Sequence, residues 1–138
     1  MSFREKSAWI TLLTVVGCFG VYFGVLVTGL VGRHGLGLLH LFLLCMAALV
    51  LLQLALTAIA ARTTPRDGRA PRDEREALIV MRSQSIGYHV LMVLVVTLAI
   101  PVHTGFGVFD VLNFALLDLA LAVTAVAVAQ IVMFRRGA

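Results

Sequence analysis

This sequence predicts an all-α integral membrane protein of four transmembrane helices, and three observations predict it. Apolar residues make up 61% of the 138-residue chain, against roughly 45–50% in a soluble globular domain. Mean hydropathy is +1.03. The charged residues, 13% of the chain, crowd into short segments between long apolar runs. No water-soluble core of this size could hide those runs. The chain length suits one domain, residues 1–138.

A membrane helix needs about 20 apolar residues to cross roughly 30 Å of hydrocarbon. Four stretches qualify. The first runs from about Ala8 to Val31, and the second from about Leu36 to Ala61. Arg4 and Lys6 precede the first as they would in a signal peptide. Its apolar run, however, continues for about 25 residues without a small-x-small cleavage site, so it reads as a retained helix. Gly32-Arg33-His34-Gly35 turns the chain between these two spans.

The third span is expected over about 74–100. Asp73 suits an N-cap, and Glu76 stands three residues on, as in a capping box. Asp73, Glu74 and Glu76 also favour the positive end of the helix dipole. About 27 residues at 1.5 Å each reach ~40 Å, more than the hydrocarbon thickness. The start of this helix should therefore extend into the cytoplasm. Pro101 to Gly107 is a breaker-rich turn, and the fourth span runs from about Val108 to Phe134. Asp110 is expected to cap that span.

Ten of the eleven basic residues flank one side of these spans; only Arg33 lies in a hairpin turn. By the positive-inside rule both termini and the loop at residues 62–73 are cytoplasmic. The expected place is a prokaryotic inner membrane. The net charge of +4 invites a nucleic-acid reading, but basic residues at helix ends are what membrane topology itself requires. Nucleic acid is excluded as a partner. Cys18 and Cys45 fall within apolar runs and read as buried free thiols.

A shift of 78 positions superposes Arg4 on Arg82, Ser7 on Ser85, Leu13 on Leu91 and Gly29 on Gly107, and places His40 opposite Asp118. This is the pattern of two hairpins in the same orientation, related by an axis along the membrane normal. Chance matches in so Leu-, Val- and Ala-rich a chain are the other reading.

Lipid tails are as apolar as Leu, so small residues mark where helices approach. Gly17, Gly20, Gly24 and Thr28 share one face of the first span. Ala115, Asp118, Ala122, Ala125 and Ala129 share one face of the fourth. Both faces are expected to pack, within the bundle or across a dimer seam.

Asp118 lies about ten residues into the fourth span, where an ionised carboxylate costs several kcal/mol. It is expected to face protein, either protonated or paired. His40, in the same half of the second span, is the expected partner. The pair reads as a proton or cation path, or as an interhelical tie. His34, His103 and Asp110 lie nearby at the outer surface, but no pair has ligand spacing such as H-x-x-x-H, and no metal site is expected. Towards the cytoplasm, Gln53, Ser85, Tyr88, His89 and Gln130 form a second polar group, read as anchoring and hydrogen bonding between helices. His89 has no histidine at its depth to share a haem. No cofactor is expected. Enzyme signatures such as G-x-S-x-G, H-E-x-x-H, a P-loop or a dinucleotide fingerprint are absent from the sequence.

Asp73-Glu74-Arg75-Glu76, followed by Ile79, Ser85, Tyr88 and Leu91, resembles a family of small bacterial and archaeal inner-membrane proteins with an acidic D-E-R-E/D start to the third helix. The resemblance covers about twenty residues of that helix. It implies no established activity. The family's genes often stand beside that of a helix-turn-helix regulator, which implies signalling or stress response.

The function expected is a non-enzymatic regulatory or accessory subunit. It would act through helix packing, as a dimer, and through a cytoplasmic partner contact at Asp73, Glu74, Arg75 and Glu76. The alternative is a small oligomeric transporter or channel with Asp118 and His40 on its path.

Overall fold

A computed structural model of the chain describes residues 3–31, 36–63 and 74–136. These form five helices: α1 (Phe3–Thr28), α2 (Leu36–Thr63), α3 (Glu74–Thr97), α4 (Ala99–His103) and α5 (Val108–Arg136). With α3 and α4 taken together over Glu74–His103, four segments of 26 to 30 residues are long and apolar enough to cross a membrane. Asp73, the expected cap of α3, lies outside the described residues, as does the 64–73 stretch of the expected cytoplasmic loop.

α1 begins and ends earlier than its hydropathy implies. It ends at Thr28 because Gly29 takes φ +70°, a left-handed turn that glycine enters without the Cβ clash of other residues. The Thr28 hydroxyl donates back to the Gly24 and Val25 carbonyls, each at 3.0 Å.

The third span does not stop before Pro101. Leu98 N–H is shared between the Leu94 and Val95 carbonyls, both at 3.2 Å, and the chain then re-enters a helix at Ala99. Pro101 is the third residue of that short helix. In a first turn a proline displaces no hydrogen bond of the new helix. It does bring no N–H to the Thr97 carbonyl four residues before it. The span is therefore interrupted rather than terminated. Gly105, at φ +84°, turns the chain into α5. Asp110 is not its N-cap: α5 starts at Val108, and the Asp110 and Val111 N–H groups both donate to the Gly107 carbonyl, at 3.0 and 3.1 Å.

The helices pack in the order α2, α1, α5, α3. α1 and α5 are central, and α2 and α3 each lie chiefly against one neighbour. The contact of α1 with α5 has no counterpart of like extent between α3 and α2. A two-fold relating the hairpins would demand one, so the packing does not carry the duplication.

Val15 and Phe19 of α1 meet Ala120 of α5, with Met46 and Leu49 of α2 against them. Towards the hairpin end, Tyr22, Leu38 and Cys45 form a second cluster. Each of these helix contacts also holds a hydrogen bond between side chains. Gln53 Nε2 donates to Thr11 Oγ1 between α2 and α1, at 3.2 Å. Tyr22 OH donates to Asn113 Oδ1 between α1 and α5, at 2.8 Å. Gln130 Nε2 donates to Ser83 Oγ between α5 and α3, at 3.1 Å. Apolar contact alone gives lipid-embedded helices little preference for one partner, so such ties help set which faces meet.

At the end that carries the termini, Arg4 Nε lies 2.8 Å from Glu76 Oε2. Arg135 Nε lies 3.7 Å from Glu5 Oε1, and its guanidinium stands 5.4 Å from the centroid of the Trp9 ring. The Arg4–Glu76 pair is partly exposed, so Arg4→Ala should lower stability by no more than about 1 kcal/mol. A denaturant titration of the purified protein measures it.

Candidate functional site

The deepest acidic side chain of the fourth span defines the site. Asp118 is 8% exposed, among the few buried polar residues described. It is held on α5 between Ala115 and Ala122, small residues that let neighbouring helices close around it. Its Oδ2 is buried and has no hydrogen-bond partner. A buried acceptor left unpaired costs roughly 1–3 kcal/mol, and more when charged.

The carboxyl does not meet the partner expected from the sequence. His40 is exposed on α2, and α2 packs on α1 rather than on α5. Asp118 instead lines a cleft of about 280 Å³ against the interruption of the third span, with Thr97, Leu98, Ile100 and Pro101 opposite it. Thr104, Phe106 and Phe114 complete the lining. The Phe106 and Phe114 rings meet edge to face, with centroids 5.8 Å apart.

The hydroxyls in this cleft are oriented by the helix backbone. Thr97 Oγ1 donates to the Leu94 carbonyl at 2.6 Å. Thr104 Oγ1 donates to the Ile100 carbonyl at 2.9 Å, with the Pro101 carbonyl at 3.2 Å. Each hydroxyl proton is thus committed, and what remains on either oxygen is acceptor capacity. Pro101 contributes no donor either. The polar wall of the cleft is made of acceptors.

His103 is close in sequence but exposed, and its Nδ1–H donates to the Ala99 carbonyl at 2.7 Å. Among the described residues, no three His, Cys, Asp or Glu side chains come together as a metal site.

The other residues singled out by sequence fall as follows. Gly17, Gly20 and Gly24 are exposed, and a Cβ on any of them would meet nothing within 4 Å. Their face does not pack within the bundle. A glycine that does pack between two spans is Gly87 on α3, where an added Cβ would run into Val126 of α5 and come to 3.6 Å from the Ala122 carbonyl. Ala122 is buried there and Ala125 is half-buried. Glu76 is held by Arg4, Glu74 and Arg75 are exposed, and Asp73 lies outside the described residues.

In the polar group nearer the termini, the serine that ties helices is Ser83, fully buried, and not Ser85. Ser85 and His89 do interact, but through the Ser85 carbonyl, which accepts from His89 Nδ1–H at 2.7 Å. Both side chains, with Tyr88, lie on the outside of the bundle.

Thr97 and Pro101, which line the cleft with Asp118, were not legible as its neighbours in the sequence. What signal there was is indirect: a proline at the end of an apolar run leaves one carbonyl without its helical donor, in the half of the membrane that holds the acid. No known protein family, curated protein or solved structure matches this chain.

Proposed function

We propose that this chain is a non-enzymatic, regulatory or accessory subunit of a prokaryotic inner membrane, and that it works by assembling with a second copy of itself through α1. One observation carries the reading. α1 is a central helix, yet its face of smallest residues, Gly17, Gly20 and Gly24, is turned away from the rest of the bundle into open space. Glycines add nothing to contact with lipid, and each costs about 1 kcal/mol of helix propensity relative to Ala. They do permit close approach of another helix. Gly20→Leu with Gly24→Leu should abolish dimers while leaving the fold intact. Subunit counting by single-molecule photobleaching in liposomes, over a range of dilutions, tests this. A wild type that is monomeric at every dilution sinks the reading.

The orientation that accompanies it places both termini and the arginine-rich loop in the cytoplasm, where the loop would reach a protein partner. It is supported by the distribution of basic residues. In spheroplasts, Gly68→Cys should resist a membrane-impermeant maleimide until the membrane is broken. Labelling of intact spheroplasts reverses the topology.

A second reading is favoured by a separate observation, the unpartnered Asp118 carboxyl facing the interrupted helix. Intramembrane carboxyls and broken helices are where small transporters and channels bind what they move. Here the path would run past Asp118 and Thr97, with His40 off it. Asp118→Asn should remove proton or cation flux in proteoliposomes. Flux unchanged by the substitution, or none from the wild type, removes this reading.

A further inference from the structure

We propose that the cleft between α5 and the α3–α4 interruption is a binding site for a primary ammonium carried on a small apolar body, with Asp118 as its counter-charge. The polar groups of the cleft are the Asp118 carboxyl and the hydroxyls of Thr97 and Thr104, whose protons are both committed to backbone carbonyls. Pro101 supplies no N–H to the wall. A site made only of acceptors, one of them a carboxylate, is complementary to a cation that donates several hydrogen bonds. An ammonium has three such donors in a compact head.

The remainder of the wall sets the rest of the ligand. Leu98, Ile100, Phe106 and Phe114 are apolar. Aromatic rings lining a site can also attract a cation, and Phe106 and Phe114 both line this one. An inorganic cation could use the oxygens of Asp118, Thr97 and Thr104, but it would shed water against an otherwise apolar wall, and no cluster of three His, Cys, Asp or Glu is present among the described residues to complete its shell. A neutral apolar molecule would leave Asp118 Oδ2 without a partner, as it now stands. At about 280 Å³ the cleft sits at the small end of ligand sites, which run from roughly 300 to 1,000 Å³. It suits an arylalkyl or short alkyl amine, not a lipid.

The proposal deepens the second functional reading, since it names what a path through Asp118 would carry. Equilibrium binding of tritiated 2-phenylethylamine to the protein in phosphatidylcholine nanodiscs tests it, with empty discs as the blank. Saturable binding is expected. 2-Phenylethanol, of the same shape without the charge, should compete at least about tenfold less well. Asp118→Asn should weaken tracer binding by about tenfold or more, and Thr97→Val by several-fold. Should Asp118→Asn fail to fold, Ile100→Trp fills the cleft with Asp118 in place and should abolish binding.

Absence of saturable binding, equal competition by 2-phenylethanol, or full affinity in the Asp118→Asn and Ile100→Trp variants overturns the site. Uptake of the same tracer into proteoliposomes separates the two claims. Binding without uptake keeps the site and removes transport of the amine. An Asp118-dependent proton flux with no amine binding keeps transport and removes the site.

Discussion

Gly87→Val is expected to loosen the α3–α5 contact and to lower stability by about 1–3 kcal/mol, the usual cost of forcing extra carbon into a packed contact. The reason is local and steric. A Cβ at Gly87 runs into the side chain of Val126, and the Ala122 carbonyl stands 3.6 Å away on the same wall. Val126 cannot step aside cheaply, because a β-branched residue on a helix has one strongly preferred χ1 rotamer. Nor can the backbone at Ala122, which belongs to the central helix of the bundle.

Gly87→Ala should cost less than Gly87→Val, and adding Val126→Ala should recover part of the loss. The expected signature is therefore a coupled pair, measured by unfolding the single and double variants in mixed micelles. Additive losses would show that the two residues do not press on each other. The glycines of α1 should behave in the opposite way. Gly20→Ala places its methyl in open space and should leave the monomer no less stable.

Breaking the Tyr22–Asn113 hydrogen bond from one side should cost more than removing it from both. Tyr22 is 2% exposed and Asn113 9%, and they join the two central helices at 2.8 Å. With Asn113→Leu the Tyr22 hydroxyl is left without its acceptor in an apolar setting, next to Phe23 and Phe42. An unsatisfied buried hydroxyl costs roughly 1–3 kcal/mol. Tyr22→Phe, which leaves Asn113 unpaired, should cost a similar amount.

Interhelical hydrogen bonds measured in membranes average only ≈0.6 kcal/mol, with a maximum near 1.7. The lower end of the range is thus expected, about 1 kcal/mol for each single change. The double variant should lose clearly less than the sum, giving a coupling energy of about 1 kcal/mol. Steric trapping in bicelles measures all three. A coupling energy near zero would mean that packing alone joins α1 to α5.

Much of the fold was legible in the chain. Helix starts at Leu36, Glu74 and Val108 follow from breakers and acids that act on their immediate neighbours. The errors at helix ends came from misjudging breakers in both directions. Gly29 did stop α1, because its positive φ reverses the chain. Pro101 did not stop the third span, because a proline in a first turn interrupts a helix and lets it resume. The candidate site was half legible. Asp118 stood out since an acid within an apolar run is costly wherever it points. What it faces did not, since His40 and Thr97 are equally reasonable neighbours until the order of helices is known.

What the sequence alone determined is how many segments are long and apolar enough to span a membrane, and where three of them begin. These depend on hydropathy, charge and backbone preference, which each short stretch carries within itself. Tertiary structure alone decided which faces meet. It placed α1 and α5 at the centre, turned Gly17, Gly20 and Gly24 outwards, buried Gly87 and Ser83 instead, and set Asp118 against Thr97 and Pro101. The physical reason is that every face of these helices is apolar enough to meet lipid or protein. Rotation about each axis is then chosen by close packing and a few hydrogen bonds between distant residues, and no local pattern in the chain encodes that choice.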